Sequence, residues 1–185
     1  KGEHVSMASF DFIYDRVITV NGLSKSYAMT GWRIGYIGAP LWIAKAVDKL
    51  QGQFTSGVCT IAQKAAVAAL RQDDGSRKMM RDAFLRRRDL VCKLLKEIKG
   101  LKIRIPQGAF YVMPDISHFL GKSDGEKKIN TSDDLALYLL EKAQVAVVGG
   151  DSFGAPKCIR ISYATSDELL VEAVRRIKQA LERLK

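Results

Sequence analysis

Two residues that could hold a carbonyl compound and an anion lie eight positions apart in the first part of the sequence. Lys25 follows a short apolar segment and a turn, and Arg33 stands between Trp32 and Ile34 at the start of a second apolar segment. A partly desolvated lysine amine can form a Schiff base with an aldehyde or ketone. A guanidinium group fits phosphate through its fork of N–H donors. The pair therefore indicates a site for a phosphorylated aldehyde, although Lys25 taken alone would be interpreted as a surface lysine.

A second arginine stands in an unusual place near the other end of the sequence. Arg160 is central in the apolar segment 158–163. A guanidinium in such a strand needs a carboxylate partner. That partner is either a structural acid of the same chain or a substrate. We favour a substrate, because the Lys25 pattern is in the same chain.

The elements that would position these residues alternate between strands and helices. Apolar segments bounded by turn signals predict strands over 17–21, 33–38, 102–105, 109–113, 145–148 and 158–163. Helical periodicity predicts helices over 41–51, 60–71, 77–99, from 131 or 132 to just before 145, and over 167–184. The order predicts an α/β fold, with a domain boundary inside the long third helix.

Composition limits the class of protein. The 185 residues are 47% hydrophobic and 27% charged, which is typical of a globular chain, and no apolar run is long enough to cross a membrane. Three widely spaced cysteines favour a reducing compartment over a disulfide framework. Two histidines and no Cys/His cluster make a metal site or a histidine-based hydrolase site improbable.

Positive charge is concentrated in one stretch of the sequence. The formal net charge is +10, and residues 71–104 hold twelve Lys or Arg against five Asp or Glu. Such a stretch could bind nucleic acid. No nucleic-acid motif accompanies it, and an apolar stripe at helical spacing runs through it. We therefore predict a solvated helix face and no nucleic-acid partner.

The run SKSYAMTGWRIGY, residues 24–36, resembles the cofactor-attachment motif of the class I aminotransferases, which have the type I fold of pyridoxal 5′-phosphate enzymes. The resemblance implies that Lys25 forms the internal aldimine with pyridoxal phosphate and shuttles the proton, and that Arg33 holds the cofactor phosphate. The animal and enteric branch has a phosphate-binding serine three residues before the lysine. Here Gly22 occupies that position, so Ser24 is the nearest hydroxyl that could contribute to cofactor binding.

Three further segments extend the resemblance over the chain. Residues 106–111 are similar to a turn whose aromatic residue approaches the substrate, which implies this role for Phe110 unless it is a core aromatic. Residues 158–165 are similar to the segment whose arginine binds the substrate α-carboxylate, which implies that role for Arg160. Residues 51–63 resemble a loop that reaches the active site of a neighbouring subunit, which implies a homodimer.

The resemblance also implies an organisation and an activity. Residues 1–84 would be the C-terminal part of the cofactor-binding large domain, and residues 85–185 the small C-terminal α/β domain. The strongest similarity is to plant-chloroplast, prokaryotic-type aspartate aminotransferases, which work in amino-acid biosynthesis. This implies ping-pong transfer from aspartate or glutamate to 2-oxoglutarate or oxaloacetate, or to prephenate. It also implies a plastid location, with the cytoplasm as the alternative. Relatives are about twice as long, so this chain would be a C-terminal portion that is inactive alone.

Three alternatives remain open from the sequence. A lyase or synthase of the same fold would use the same cofactor for another reaction. A basic binding module would use residues 71–104 and would leave the Lys25–Arg33 pattern unexplained. A truncated relic would keep only surfaces for dimer formation.

Overall fold

The structure is a computed structural model that describes residues 3–72 and 75–185. The chain divides into two compact units, Lys1–Met79 and Met80–Lys185. In chain order, the elements are β1 (Thr19–Gly22), β2 (Gly35–Gly38), α1 (Leu41–Phe54), α2 (Thr60–Arg71), α3 (Ser76–Lys96), β3 (Tyr111–Val112), α4 (Ser132–Ala143), β4 (Val148–Gly149), β5 (Ile159–Ser162) and α5 (Asp167–Leu181). Short 3-10 helices cover Met7–Ser9, Asp11–Arg16, Ser117–Phe119 and Asp151–Phe153. The predicted α/β class is confirmed.

The first unit is built on an antiparallel hairpin. Strands β1 and β2 pair in the register that sets Val20 opposite Ile37. A Cβ atom at Gly35 would lie 2.8 Å from the carbonyl oxygen of Asn21, so only glycine fits at this point of the hairpin. The twelve residues that join the strands, 23–34, contain Lys25 and Arg33 and are called the lysine loop below.

The lysine loop is anchored to helix α2 through apolar side chains. Leu23 and Met29 are buried and form a small core with Ala66 of α2. The small alanine side chains of the helix allow the loop backbone to come close. The Leu23 N–H donates to the Ile34 carbonyl oxygen at 3.3 Å, which closes the loop at its base. The loop is therefore held on one side while Lys25 remains exposed.

Helix α1 carries an apolar surface that the described residues leave uncovered. None of its residues is buried. Trp42 and Phe54 are 72% and 83% exposed, and Leu41 and Leu50 are also exposed. Exposed apolar side chains of this size are more often covered by another surface than left in water.

The second unit has a continuous core between helices and a small sheet. Strand β5 is the central strand of the order β3-β5-β4, and both pairings are antiparallel. Helices α3, α4 and α5 supply apolar side chains to this core, and the Tyr138 hydroxyl donates to the Ala180 carbonyl oxygen at 3.1 Å. The fully buried large side chains of this core are Val91, Leu95, Val112, Ile116, Ile129, Leu135, Tyr138, Leu139, Ile159, Tyr163 and Ile177.

Helix α4 begins with a capping box. The Asp134 N–H donates to Thr131 Oγ1 at 3.1 Å, and the N–H groups of Asn130 and Thr131 donate to Asp134 Oδ2 at 2.9 Å. These donors stabilise the ionised carboxylate, so the pKa of Asp134 is lowered, chiefly by the Asn130 N–H. The start of α4 near Thr131 and the cap of α5 by Ser166, both predicted from the sequence, are confirmed.

All six predicted strands differ in extent from the structure, and two of the differences have a clear physical reason. Residues 102–105 form no strand, and only Lys102 makes a single bridge, to Asp115. Leu101 and Ile103 still pack on the core. The alternation of apolar and polar residues here therefore indicates side chains that point inward, not a hydrogen-bonded strand. Strand β4 begins at Val148 and not at 145, because Gln144 is left-handed (φ 53°) and the Val145 N–H turns back to the Leu139 carbonyl oxygen.

The α4 capping box predicts a loss of stability when its threonine is removed. We expect Thr131→Ala to lower the free energy of unfolding by about 1 kcal/mol, measured by urea denaturation at pH 7.

The Asp134 carboxylate of the same capping box predicts a measurable pH dependence. The folded-state pKa of Asp134 lies below its unfolded value of about 3.9. Its ionised form therefore stabilises the fold above about pH 4, and this contribution is lost as the pH falls through the folded-state pKa. Urea denaturation between pH 7 and pH 2 should show a shallower acid decline for Asp134→Asn.

The matched control is Asp133→Asn, which lies in the same helical turn but outside the capping box. An equal change of the acid decline in both variants would contradict the assignment of that decline to Asp134.

Candidate functional site

Lys25 lies in a compact turn of the lysine loop. The Lys25 carbonyl oxygen accepts the Ala28 N–H at 3.2 Å, and the Tyr27 N–H donates to the Leu23 carbonyl oxygen at 3.2 Å. These bonds wind the loop around the buried Leu23, while the Lys25 side chain is exposed. Ser24, the hydroxyl nearest in sequence, is half-buried. A ligand could therefore reach the Lys25 amine without a rearrangement of the backbone.

Arg33 closes the lysine loop in a strained backbone conformation. Its φ is 49°, and that of Ala28 in the same loop is 54°, so both non-glycine residues are left-handed. Such conformations cost free energy and cluster at ligand sites. The Arg33 Nη1 group donates to the Thr30 carbonyl oxygen at 3.0 Å. This contact uses one donor of the guanidinium fork and steadies the side chain.

The remaining donors of Arg33 are available for an anion. Within residues 3–72 and 75–185, no carboxylate oxygen lies within 4.0 Å of this guanidinium group. Beside it is a cavity of about 720 Å³ that Trp32, Gly57 and Ala62 help to line. An exposed amine and a guanidinium without a carboxylate in one strained loop fit an aldehyde that carries a phosphate, as pyridoxal phosphate does.

Arg160 occupies the middle of the second unit's sheet. Its strand, β5, pairs with β4 so that Arg160 faces Val148. The neighbours Ile159 and Ile161 are buried in the core, while Arg160 is half-buried. Among the residues that the structure describes, no acid lies within 4.0 Å of its guanidinium and no hydrogen-bond acceptor is recorded for its N–H groups. The structural ion pair considered from the sequence is therefore not formed in that part of the chain.

Aromatic rings take the place of an acid beside Arg160. The guanidinium carbon lies over the ring of Tyr111, 4.5 Å from its centroid, and over that of Phe153, 4.1 Å from its centroid. Sequence reasoning did not include either ring among the site residues. The signal that could have indicated them is their place in or near the segments that resemble the family: Tyr111 lies in 106–111, and Phe153 lies five residues before 158–165.

Phe110 packs within an aromatic group of the second unit. Its ring stacks on Phe84 with centroids 5.7 Å apart and lies 4.4 Å from the Tyr111 ring. It is half-buried and packs on the core. Phe110 therefore combines core contacts with a position next to Tyr111, the ring that contacts Arg160.

The structure thus gathers the predicted site residues into two groups. Ser24, Lys25 and Arg33 share the lysine loop of the first unit. In the second unit, Arg160 lies on β5, and Phe110 immediately precedes the neighbouring strand β3.

The basic stretch uses much of its charge inside the second unit. Arg86 Nε donates to Asp167 Oδ2 at 3.0 Å, and Arg87 Nε donates to Asp167 Oδ1 at 3.3 Å. The Arg86 hydrogen bond is the main cause that lowers the pKa of Asp167. Arg88 donates to Asp89 at 2.7 Å and to the Pro106 carbonyl oxygen at 3.3 Å. These contacts favour a helix that is paired within the fold over a nucleic-acid surface.

The described residues contain neither a metal-binding cluster nor a membrane-spanning helix. Among residues 3–72 and 75–185, no group of three or more His, Cys, Asp and Glu side chains could hold a metal ion. No described helix has the length and apolarity needed to cross a membrane.

Comparisons with known proteins place the whole chain beside one enzyme family. The family model "Aminotransferase class I and II" matches residues 4–177. A bifunctional aspartate aminotransferase and glutamate/aspartate-prephenate aminotransferase of Petunia hybrida is 50% identical, over 98% of this chain and 39% of that protein. An aspartate/prephenate aminotransferase of Cereibacter sphaeroides is 48% identical, over 95% of this chain and 46% of that protein.

A solved structure gives the same result for the fold. The crystal structure of an aspartate aminotransferase from Rhizobium meliloti is 46% identical and superposes with a TM-score of 0.93. The match covers 98% of this chain and 46% of that chain. The chain therefore spans less than half the length of these relatives.

The hydrogen bond between Tyr163 and Ala109, next to Phe110 in the second unit, can be tested by substitution. The Tyr163 hydroxyl donates to the carbonyl oxygen of Ala109 at 3.0 Å, and Ala109 is left-handed with a φ of 60°. We expect Tyr163→Phe to leave that oxygen without its donor and to lower the free energy of unfolding by about 1 kcal/mol, measured by urea denaturation. Tyr14→Phe, at an exposed tyrosine, is the control. Equal stability of Tyr163→Phe and the unmodified chain would show that this bond does not hold the turn.

Proposed function

The chain belongs to the class I and II aminotransferases, and on that premise we propose that it forms the C-terminal part of a pyridoxal-phosphate enzyme that transfers the amino group of aspartate or glutamate to a 2-oxo acid. The observation that carries the proposal is the lysine loop. It holds Lys25 exposed and Arg33 without a carboxylate partner among the described residues, on a backbone strained at Ala28 and Arg33.

Each residue of the lysine loop has a proposed task. Lys25 Nζ would hold the cofactor aldehyde, with loss of water. Once the amine of the amino acid has displaced it, the freed Nζ would take the proton from the α-carbon and later return a proton. Arg33 binds the cofactor phosphate, and the Ser24 hydroxyl adds a hydrogen bond from its half-buried position. Pyridoxal phosphate, when bound, supplies the electron sink that makes the α-proton acidic.

The second unit is proposed to hold the substrate. Arg160 binds the α-carboxylate through its guanidinium N–H groups, for which no described residue supplies an acceptor. Phe110 borders the substrate beside Tyr111. Fixing the carboxylate limits the orientations that the α-carbon of the substrate can take.

The proposed substrates follow the relatives. Those from Petunia and Cereibacter are named for both aspartate and prephenate. We therefore propose aspartate and glutamate as donors, with 2-oxoglutarate, oxaloacetate or prephenate as acceptors, in ping-pong order. The resemblance to the plant-chloroplast group supports a plastid location, which cell fractionation with an antibody against this chain would test.

The uncovered surface of α1 supports a larger assembly. Its apolar side chains are exposed, and the chain spans less than half of its relatives' length. We propose that further polypeptide and a second subunit cover this surface, and that residues 51–63 reach the partner's site. Residues 1–84 would then belong to a cofactor-binding domain and residues 85–185 to a small domain, and the chain alone would lack turnover.

Substitution of Lys25 tests the reaction class. In the full-length enzyme, we expect Lys25→Ala to reduce turnover at least a thousandfold, because the amine that moves the proton is removed. The assay measures the 2-oxo acid and the new amino acid together, since a transaminase forms them in equal amounts. Lys178→Ala, at an exposed lysine of α5, should keep full activity. Formation of a 2-oxo acid without a new amino acid would indicate a lyase and overturn the proposal.

Substitution of Arg160 tests substrate binding. We expect Arg160→Ala to raise the KM for aspartate about 10- to 100-fold, the usual effect of losing a hydrogen bond to a charged group. Arg176→Ala is a control at a guanidinium that is paired with Glu172 on α5. An unchanged KM in Arg160→Ala would contradict the carboxylate role.

A further inference from the structure

Two aromatic rings from separate segments of the chain contact Arg160. Tyr111 lies on β3, and Phe153 follows β4, and these strands flank β5 on its two edges. The guanidinium carbon is 4.5 Å from one ring centroid and 4.1 Å from the other. Both distances lie within the range in which a cation is attracted to an aromatic face. Tyr111 and Phe153 are called the aromatic clamp below.

Core packing does not explain the aromatic clamp. Neither ring belongs to the core cluster of the second unit, as far as the described residues define it. Phe153 is 44% exposed and Tyr111 is half-buried. An exposed phenylalanine contributes little to stability by burial. Both rings contact the guanidinium of Arg160.

The backbone that carries Phe153 is tightly constrained. The Gly150 carbonyl oxygen accepts the N–H groups of Phe153 at 2.9 Å and Ala155 at 3.0 Å. A Cβ atom at Gly150 would lie 2.1 Å from the Ala155 carbonyl oxygen, so no larger residue fits. Gly150 N–H also donates to the Cys158 carbonyl oxygen at 2.9 Å. Phe153 therefore projects from a fixed turn.

Tyr111 has a separate support. It pairs with Ser162 in the sheet, and Tyr163 holds the preceding turn through two hydrogen bonds. The Tyr163 hydroxyl donates to the Ala109 carbonyl oxygen, and the Tyr163 N–H donates to the Phe110 carbonyl oxygen, both at 3.0 Å. Two unrelated supports thus bring two rings to one guanidinium.

We propose that Tyr111 and Phe153 are positioning residues that hold the guanidinium of Arg160 ready for the substrate carboxylate. This inference rests on the proposed function, because it assigns the carboxylate to Arg160. An arginine side chain has several rotatable bonds, and ordering it during binding weakens affinity. The aromatic clamp orders it beforehand while leaving its N–H donors for the ligand, since a ring face attracts the cation without accepting a conventional hydrogen bond.

The first test compares variants of Phe153 in the full-length enzyme loaded with its cofactor. Phe153→Leu keeps an apolar side chain but removes the ring, and Phe153→Tyr keeps the ring. The probe is maleate, a dicarboxylate without an amino group, whose Kd is measured by competition against aspartate. We expect the Kd of maleate and the KM for aspartate to rise about three- to thirtyfold in Phe153→Leu. Both should stay within twofold of the unmodified enzyme in Phe153→Tyr, and kcat should change less than KM.

Tyr111 gives an independent pair of variants. Tyr111→Phe removes only the hydroxyl and should leave the Kd of maleate unchanged, whereas Tyr111→Leu should raise it. A merely structural role would lower the thermal midpoint of unfolding and kcat together, without this dependence on the ring. Unchanged maleate binding in both leucine variants would overturn the proposal.

A second readout does not depend on activity. The guanidinium carbon of Arg160 lies 4.1 Å and 4.5 Å from two ring centroids, so the NMR signal of its Nε–H proton in the full-length enzyme should be shifted upfield of ordinary arginine signals. Phe153→Leu should return it toward the ordinary position, and Phe153→Tyr should not. An unshifted signal in the unmodified enzyme would overturn the aromatic clamp. Absence of transaminase activity in the unmodified full-length enzyme would instead overturn the proposed function. The NMR signal would still show whether the two rings hold the guanidinium of Arg160.

Discussion

A side chain that meets a ligand must stay open on one side while its backbone is held from the other. Both groups of candidate residues meet this constraint, by different means. The lysine loop is fixed through Leu23 and Met29, which pack on the alanine-rich helix α2, and Lys25 is left exposed. Strand β5 is fixed by pairing on both edges and by the buried Ile159 and Ile161. In the lysine loop apolar contacts hold the backbone, and in β5 strand pairing and buried neighbours hold it, so the charged side chain itself is left for a ligand.

The two units differ in how much of their own apolar surface they bury. The second unit joins three helices and a sheet around one continuous core, with capped helices and a hydrogen-bonded Tyr138. The first unit has a small core, and α1 buries none of its residues. A unit that exposes Trp42 and Phe54 gains stability when another surface covers them. This difference supports the proposal that the lysine loop works within a larger assembly.

Sequence reasoning succeeded where local chemistry decides the structure. Helix α2 matches its predicted bounds because its alanines favour helix strongly. The roles of Lys25 and Arg33, inferred from residue type and spacing, stay predictions. It failed where tertiary contacts decide. The alternation around Leu101 and Ile103 reflects packing without a strand partner. The contacts of Arg160 with Tyr111 and Phe153 join three separate segments, and no local pattern specifies them.

The central claim is that the lysine loop holds an aldehyde on Lys25 and its phosphate on Arg33. The most direct test is borohydride reduction of the natural polypeptide followed by peptide mapping in a mass spectrometer. Reduction makes a Schiff base permanent, so the claim predicts a pyridoxyl group on the peptide that contains Lys25. It also predicts that this adduct is strongly reduced in Arg33→Ala. A natural polypeptide with no adduct on Lys25, or with the adduct on another lysine, would contradict it.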